Sequence, residues 1–240
     1  MSRVAIIAAM PGELKLLVRG WESESRNGVH LWRWRHDEGE WVAACAGAGV
    51  DAATRAFAEA AKDGSMDLVI STGWAGALSA KFEPGRVYRP SGVIDVRTGE
   101  RFPTASGQGE CWLATSHRVA DEPEKQRLAS TYGAGLVDME AAALARLAEM
   151  HGIPFYCVKG VSDGLTDKLP DFNVFISSKG QFQTGRFILF AVLRPWYWPA
   201  LTRMGENSNR AAQGIAESLL DFLDERGHIR KRNGYPNLKR

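Results

Sequence analysis

The chain has 240 residues, a formal charge of +2, 45% apolar residues and 24% charged residues. That length suits one large domain or at most two small ones, and the apolar share allows a sizeable buried core. So small a net charge excludes the extended basic field of a general nucleic-acid binder. The local exception is the tail "RGHIRKRNGYPNLKR" over 226–240, which reads as a solvated end or as a contact for an anionic surface.

In chain order, Val4–Ala9 is the first buried strand, and the apolar run from Val4 to Met10 is too short for a secretory signal. "PGELKLL" opens a helix with Pro11 in its first turn. Val29–Arg35 and Trp41–Ala46 pair as a hairpin through the polar "HDEGE". "GAGVDAATRAFAEAAK" is a glycine turn running into an alanine-rich helix from about Val50. Leu68–Thr72 is a short apolar run of the kind covered on both faces, followed by the glycine turn "STGWAGAL". Further strands fall at Gly85–Tyr88, Gly92–Val96 and Cys111–Thr115, and helices at Glu122–Tyr132 and Met139–Met150. Phe155–Val161 is another buried strand.

Alternating strands and helices predict an α/β fold, a three-layer sandwich with a central mixed sheet flanked by helices. Residues 1–225 read as a single domain with an aromatic insert near 185–201, ending in an amphipathic helix over about Asn207–Glu225. The insert carries Phe187, Phe190, Trp196, Tyr197 and Trp198, with too short an apolar run to span a bilayer. It suits a lid or dimer contact, or an interfacial segment meeting lipid headgroups. Cys45, Cys111 and Cys157 are widely spaced in apolar runs, as expected of reduced thiols in a cytoplasmic protein; neither a metal site nor a cofactor is expected.

Three acids stand where ligands bind in such sheets, at the carboxyl ends of strands. Glu13 follows the first strand, Glu140 starts a helix after "GLVDM", and Asp163 ends "FYCVKGVSD". Each also fits a plainer role: Glu13 and Glu140 favour helix N-termini through the dipole, and Asp163 fits a turn or cap.

The runs "AAMPGEL", "GAGVDAA", "STGWAGAL" and "GLVDMEAAALARLAEMHGIPFYCVKGVSD" resemble, in this order, the nucleoside phosphorylase/nucleosidase superfamily. The nearest pattern is its methylthioadenosine/S-adenosylhomocysteine nucleosidase branch. The resemblance covers roughly residues 3–165 and rests most on "DMEAAALA" paired with "GVSD". It implies a purine nucleoside substrate with a modified 5′ position, no cofactor, and a homodimer. It makes Asp163 the acid at purine N7, Ser162 a positioner of that acid or of the base, Glu140 the ribose clamp, Met139 the apolar floor under the sugar, and Glu13 the base for water. Ala48, Ala75, Gly76 and Val119 are the further substrate-contacting positions it implies.

Two positions bear on hydrolysis against phosphorolysis. Related phosphorylases resemble "R-V-G-[ST]-C-G" where this chain has "S-T-G-W-A-G", so Ser71 replaces the phosphate-binding arginine and Trp74 the hydroxyl. Serine cannot replace a bidentate guanidinium, and an indole offers one donor. This favours water, unless Trp74 turns outward and packs under a loop; phosphorolysis would need arginines from elsewhere, such as Arg55, Arg86 or Arg89. The chain departs from the nucleosidase branch in Trp74 itself and in Val119, which stands near an expected aromatic. The stretch through "VDME" also resembles hopanoid-associated phosphorylases, which implies an adenosyl-lipid as an alternative substrate. A nucleoside-binding protein without turnover is the rival of another class.

Overall fold

A computed structural model describes residues 2–36, 39–177 and 180–225. The basic tail over 226–240 lies outside the described residues.

The sheet is built around β1 (Ser2–Ala8), which pairs in parallel with β4 (Gly39–Cys45) and β5 (Leu68–Ala77). Alternate residues of these strands enter different cores, as a pleated strand covered on both faces requires. Val4 and Ile6 of β1, with Trp41 and Ala43 of β4, join one core. Ala5 and Ile7, with Val42 and Ala44, join the other.

The first core is closed by α1 (Pro11–Leu14) and by α6 (Trp198–Glu225), which contributes Ile215, Leu219 and Leu223. The second is closed by α2 (Val50–Ala61) and α4 (Ala141–Met150), whose alanine-rich faces let the helices sit close to the sheet. These are three layers, helix, sheet and helix.

Beyond β4 the sheet continues through β3 (Val29–His36) to β2 (Glu22–Arg26), both antiparallel. On the other side, β5 passes to β10 (Ala134–Asp138), β9 (Trp112–Thr115), β7 (Gly92–Asp95) and β8 (Arg101–Pro103). The remaining edge of β5 pairs in parallel with β11 (Phe155–Asp163), which also carries β6 (Val87–Tyr88). α3 (Glu122–Tyr132) leads into β10 and seats Leu128 in a third cluster with Ile94 and Ala114.

Several expectations change here. "STGWAGAL" is strand through Ala77 and not a turn, because β11 pairs with β5 from Val69 to Gly76. β2, β8 and β10 are strands where the sequence predicted none. α6 begins at Trp198, nine residues before the expected start, and the aromatic insert resolves into α5 (Thr184–Val192) and a 3-10 turn over Pro195–Tyr197. No helix among the described residues is long and apolar enough to cross a membrane. The cysteines are free, and burial pushes the Cys45 and Cys157 thiols up to about 12.

Candidate active site

One cavity of about 310 Å³ opens at the carboxyl ends of β1, β5, β10 and β11. All ten residues singled out from the sequence line it: Glu13, Ala48, Trp74, Ala75, Gly76, Val119, Met139, Glu140, Ser162 and Asp163. Ser71 does not; it is fully buried inside β5.

Glu13 is held from two sides. Its Oε2 accepts from the Met10 N–H at 2.7 Å, closing the first turn of α1, and its Oε1 accepts from the Trp74 N–H at 2.7 Å. The close approach depends on Gly73, whose φ of +121° suits glycine alone, and a Cβ there would lie 2.6 Å from Glu13 Oε1. Burial lifts the Glu13 carboxyl above its usual range, while the two N–H groups oppose that shift.

The Trp74 ring faces inward, not under a loop at the surface. Its Nε1 donates to the Ser208 carbonyl of α6 at 3.2 Å, and Cη2 lies 3.2 Å from where a Cβ at Gly12 would be. The absence of a side chain at Gly12 makes room for the indole.

Glu140 is the N-cap of α4, yet its carboxylate serves another helix. Oε1 accepts from the Gly49 N–H at 2.6 Å, at the positive end of α2. Burial first, and then the nearby Asp138 carboxylate, push its carboxyl up to about 7 against the pull of Lys159.

Asp163 closes β11 with both carboxylate oxygens occupied. Oδ1 accepts from the Ser162 hydroxyl at 2.6 Å, and Oδ2 from the Lys125 ammonium at 2.5 Å. Lys125 is 3% exposed, sits on the face of α3 that carries Leu128, and also donates to the Gly164 carbonyl at 2.6 Å. A side chain accepting at both oxygens, one from an ammonium, is arranged as a carboxylate. The sequence analysis did not name Lys125, the buried partner of Asp163.

Beneath the cavity lies a second ion pair that the sequence did not disclose. Lys159 Nζ meets Asp138 Oδ2 at 2.9 Å, with both side chains essentially without solvent contact, and donates to the Thr72 carbonyl at 3.1 Å. Asp138 also accepts from the Thr115 hydroxyl at 2.7 Å and from the Ala141 N–H at 3.0 Å. Burial works against the Lys159 charge, but Asp138 and Glu140 hold its pKa above the usual lysine range. Within "VDME" nothing separates Asp138 from a solvated acid, and the one signal for Lys159 is its place inside the apolar run "FYCVKGV".

Val119 stands on the cavity wall with its backbone clasped by Asn173, whose Oδ1 accepts from Val119 N at 2.8 Å and whose Nδ2 donates to Val119 O at 3.1 Å. The outer wall is apolar: Phe172, Ile176, Phe182 and Met204. Of the arginines, Arg118 lines the cavity from an exposed position. Arg55 donates to the Ala46 carbonyl, Arg86 pairs with Glu83, and Arg89 bonds Ser218 and Glu225; none of the three lines it. Among the described residues no group of three or more His, Cys, Asp or Glu is placed to ligate a metal.

Solved structures share this fold. A 5′-methylthioadenosine/S-adenosylhomocysteine nucleosidase of Helicobacter pylori is 17% identical, with a TM-score of 0.70 over 93% of this chain and 98% of that one. Futalosine hydrolase of Helicobacter pylori is 17% identical, with a TM-score of 0.68 over 93% and 98%. An S-adenosylhomocysteine nucleosidase from Streptococcus pyogenes is 18% identical, with a TM-score of 0.70 over 93% and 97%. At such identities the likeness speaks for the fold. No protein of curated function matches the chain by sequence. The profile of the phosphorylase superfamily matches residues 3–112 and 110–184. Those spans contain Glu13, the Trp74 strand, the Glu140 helix start and Asp163, and the chain belongs to the phosphorylase superfamily.

Proposed function

We propose that the protein is a purine nucleosidase that hydrolyses the N-glycosidic bond of an adenosine modified at its 5′ position. The observation that carries this reading is the pairing of Trp74 with Glu13. The Trp74 backbone N–H bonds the buried Glu13 carboxylate, its indole packs beside Gly12 on the same cavity wall, and no arginine among the described residues reaches the cavity from β5. A phosphate there would meet an acid; a water would meet a base.

In this mechanism the C1′–N9 bond breaks with its electron pair passing to the purine. A proton moves from Lys125 Nζ to Asp163 Oδ2 and on to purine N7, which makes the base a neutral leaving group. Ser162 fixes the orientation of Asp163. The Glu140 carboxylate grips the ribose hydroxyls over Met139 and offsets the positive charge developing on the sugar. Water attacks C1′ and yields its proton to Glu13. The products are free base and free pentose. Ala48, Ala75, Gly76 and Val119 shape the walls around base and sugar, and the apolar side formed by Phe172, Ile176, Phe182 and Met204 suits an apolar 5′-substituent. The related solved structures carry nucleosidase and futalosine hydrolase names, which supports the same reaction class. The same proposal includes a homodimer, read by light scattering.

The direct test is adenine release from 5′-methylthioadenosine with and without added phosphate. The expected rate is independent of phosphate, with free pentose as co-product. A rate that requires phosphate would overturn hydrolysis in favour of phosphorolysis, in which the exposed Arg118 would receive the anion. No release from any 5′-modified adenosine, including an adenosyl-lipid, would leave a binding protein.

A pH dependence follows from Glu140. Its anionic form is the one that serves the ribose, so kcat/KM is expected to rise as pH rises through about 7. Glu140→Gln should lose that limb along with most activity. Stability runs the other way. The folded protein keeps a proton on Glu140 that the unfolded chain releases near 4.5, so this group lowers stability as pH climbs from 4.5 to about 7. Thermal melts across that range on parent and Glu140→Gln check the sign.

A further inference from the structure

α5 has an inner and an outer face with different fates. Inward, Phe187 packs against Phe172, Phe175 and Phe182, with ring centroids 5.4–5.6 Å apart, so the helix backs the apolar wall of the cavity. Outward, Ile188, Leu189, Val192 and Leu193 are 55–63% exposed and share one side of the helix. Trp196, 68% exposed, and Trp198, 52% exposed, continue this surface across the 3-10 turn. A bare apolar patch of this size marks a contact surface.

The charge around the patch says what kind. From Phe172 to Gly205 the chain has no Asp or Glu but carries Lys179, Arg186, Arg194 and Arg203. Arg186, Arg194 and Arg203 form no ion pair among the described residues. The residues 226–240, outside the described part, also lack acids and are rich in Arg and Lys. In a chain of net charge +2, this segregation of unpaired cations beside tryptophans and aliphatic side chains is the pattern of an anionic bilayer surface. A protein partner's apolar groove would account for the leucines but not for the unmatched arginines.

We propose that the outer face of α5, with Trp196 and Trp198, docks on anionic lipid bilayers. The apolar side chains enter the headgroup boundary while the arginines meet lipid phosphates. Because the inner face of the same helix backs the cavity wall, docking sets that wall against the bilayer.

The test is flotation of the full chain with phosphatidylcholine vesicles and with vesicles that also contain phosphatidylglycerol. Binding should favour the anionic vesicles by about tenfold or more and weaken as salt is raised. The double variant Leu193→Gln/Trp196→Gln, at two exposed residues that do not line the cavity, should lose that binding while hydrolysing water-soluble nucleoside at the parental rate. A parent chain that stays off both vesicle types overturns the proposal, and so does a double variant that floats like the parent. A lower oligomeric state in the variant also overturns it, since the face would then join two copies of the chain. Flotation reads binding alone, so failure here is distinct from failure of the nucleosidase reading.

Discussion

Replacing Asp163 with Asn is expected to lower the rate of adenine release by about 10²–10⁴-fold. The carboxamide keeps the shape and can still bond to Ser162, but it cannot pass a proton from Lys125 to the base. The change also strands a buried ammonium. Removing one member of such a pair costs about 3–5 kcal/mol where the other remains uncompensated. A loss of activity in the single variant could therefore come from chemistry or from the fold. The double variant Lys125→Met/Asp163→Asn separates them, because it removes both charges and should melt nearer the parent while staying inactive. Near-parental turnover in either variant would take Asp163 out of the proton path.

Breaking the deeper pair is expected to have the largest effect on stability. Asp138→Ala leaves Lys159 without its counter-ion in a site with about 1% side-chain exposure, and also removes the acceptor for Thr115 and the Ala141 N–H. The expected cost is about 3–5 kcal/mol, a large part of the ~5–15 kcal/mol available to a whole domain. At about 2–4 °C per kcal/mol for a chain of this size, the melting temperature should fall by about 10 °C. Asp138→Leu with Lys159→Met should recover much of that loss. If Asp138→Ala melts with the parent, water reaches this pair and the buried network is not intact. The same substitution should also disturb Glu140, since the Asp138 carboxylate is one reason its pKa is high.

What the sequence disclosed follows from what each residue advertises locally. Strands covered on both faces, such as β1 and β11, are unbroken apolar runs and stand out. β2, "ESESR", has no apolar alternation at all; its place at the sheet edge is kept by pairing with β3 and by charged contacts such as Glu24 with Arg33 at 2.8 Å. β10 is five buried residues running straight into a helix start, so no period has room to appear. "STGWAGAL" has the composition of a turn, and only pairing with the distant strands β10 and β11 makes it β-structure. Glu13, Glu140 and Asp163 could be named because they sit at element ends, where a carboxylate is conspicuous. Lys125 could not. In "DEPEKQRL" it is one more charged residue of a polar helix, and its burial depends on the end of β11 arriving above it. Lys159 was hidden in the opposite way, as a charge inside an apolar strand whose counter-ion lies on a different strand.

The indole of Trp74 joins three parts of the chain that are made at very different times. Its own segment has been synthesised by residue 77 and Gly12 long before, but the carbonyl that accepts its N–H belongs to Ser208. On a ribosome adding about 5–20 residues per second, the ring has neither its acceptor nor its covering helix for several seconds. During that interval the wall that α6 puts over the Trp74 side of Glu13 has not been made. The site is therefore completed by the last helix and not by the strands that carry its acids. A nascent chain stopped short of α6 would hold every acid named above without the helix that accepts from and covers Trp74.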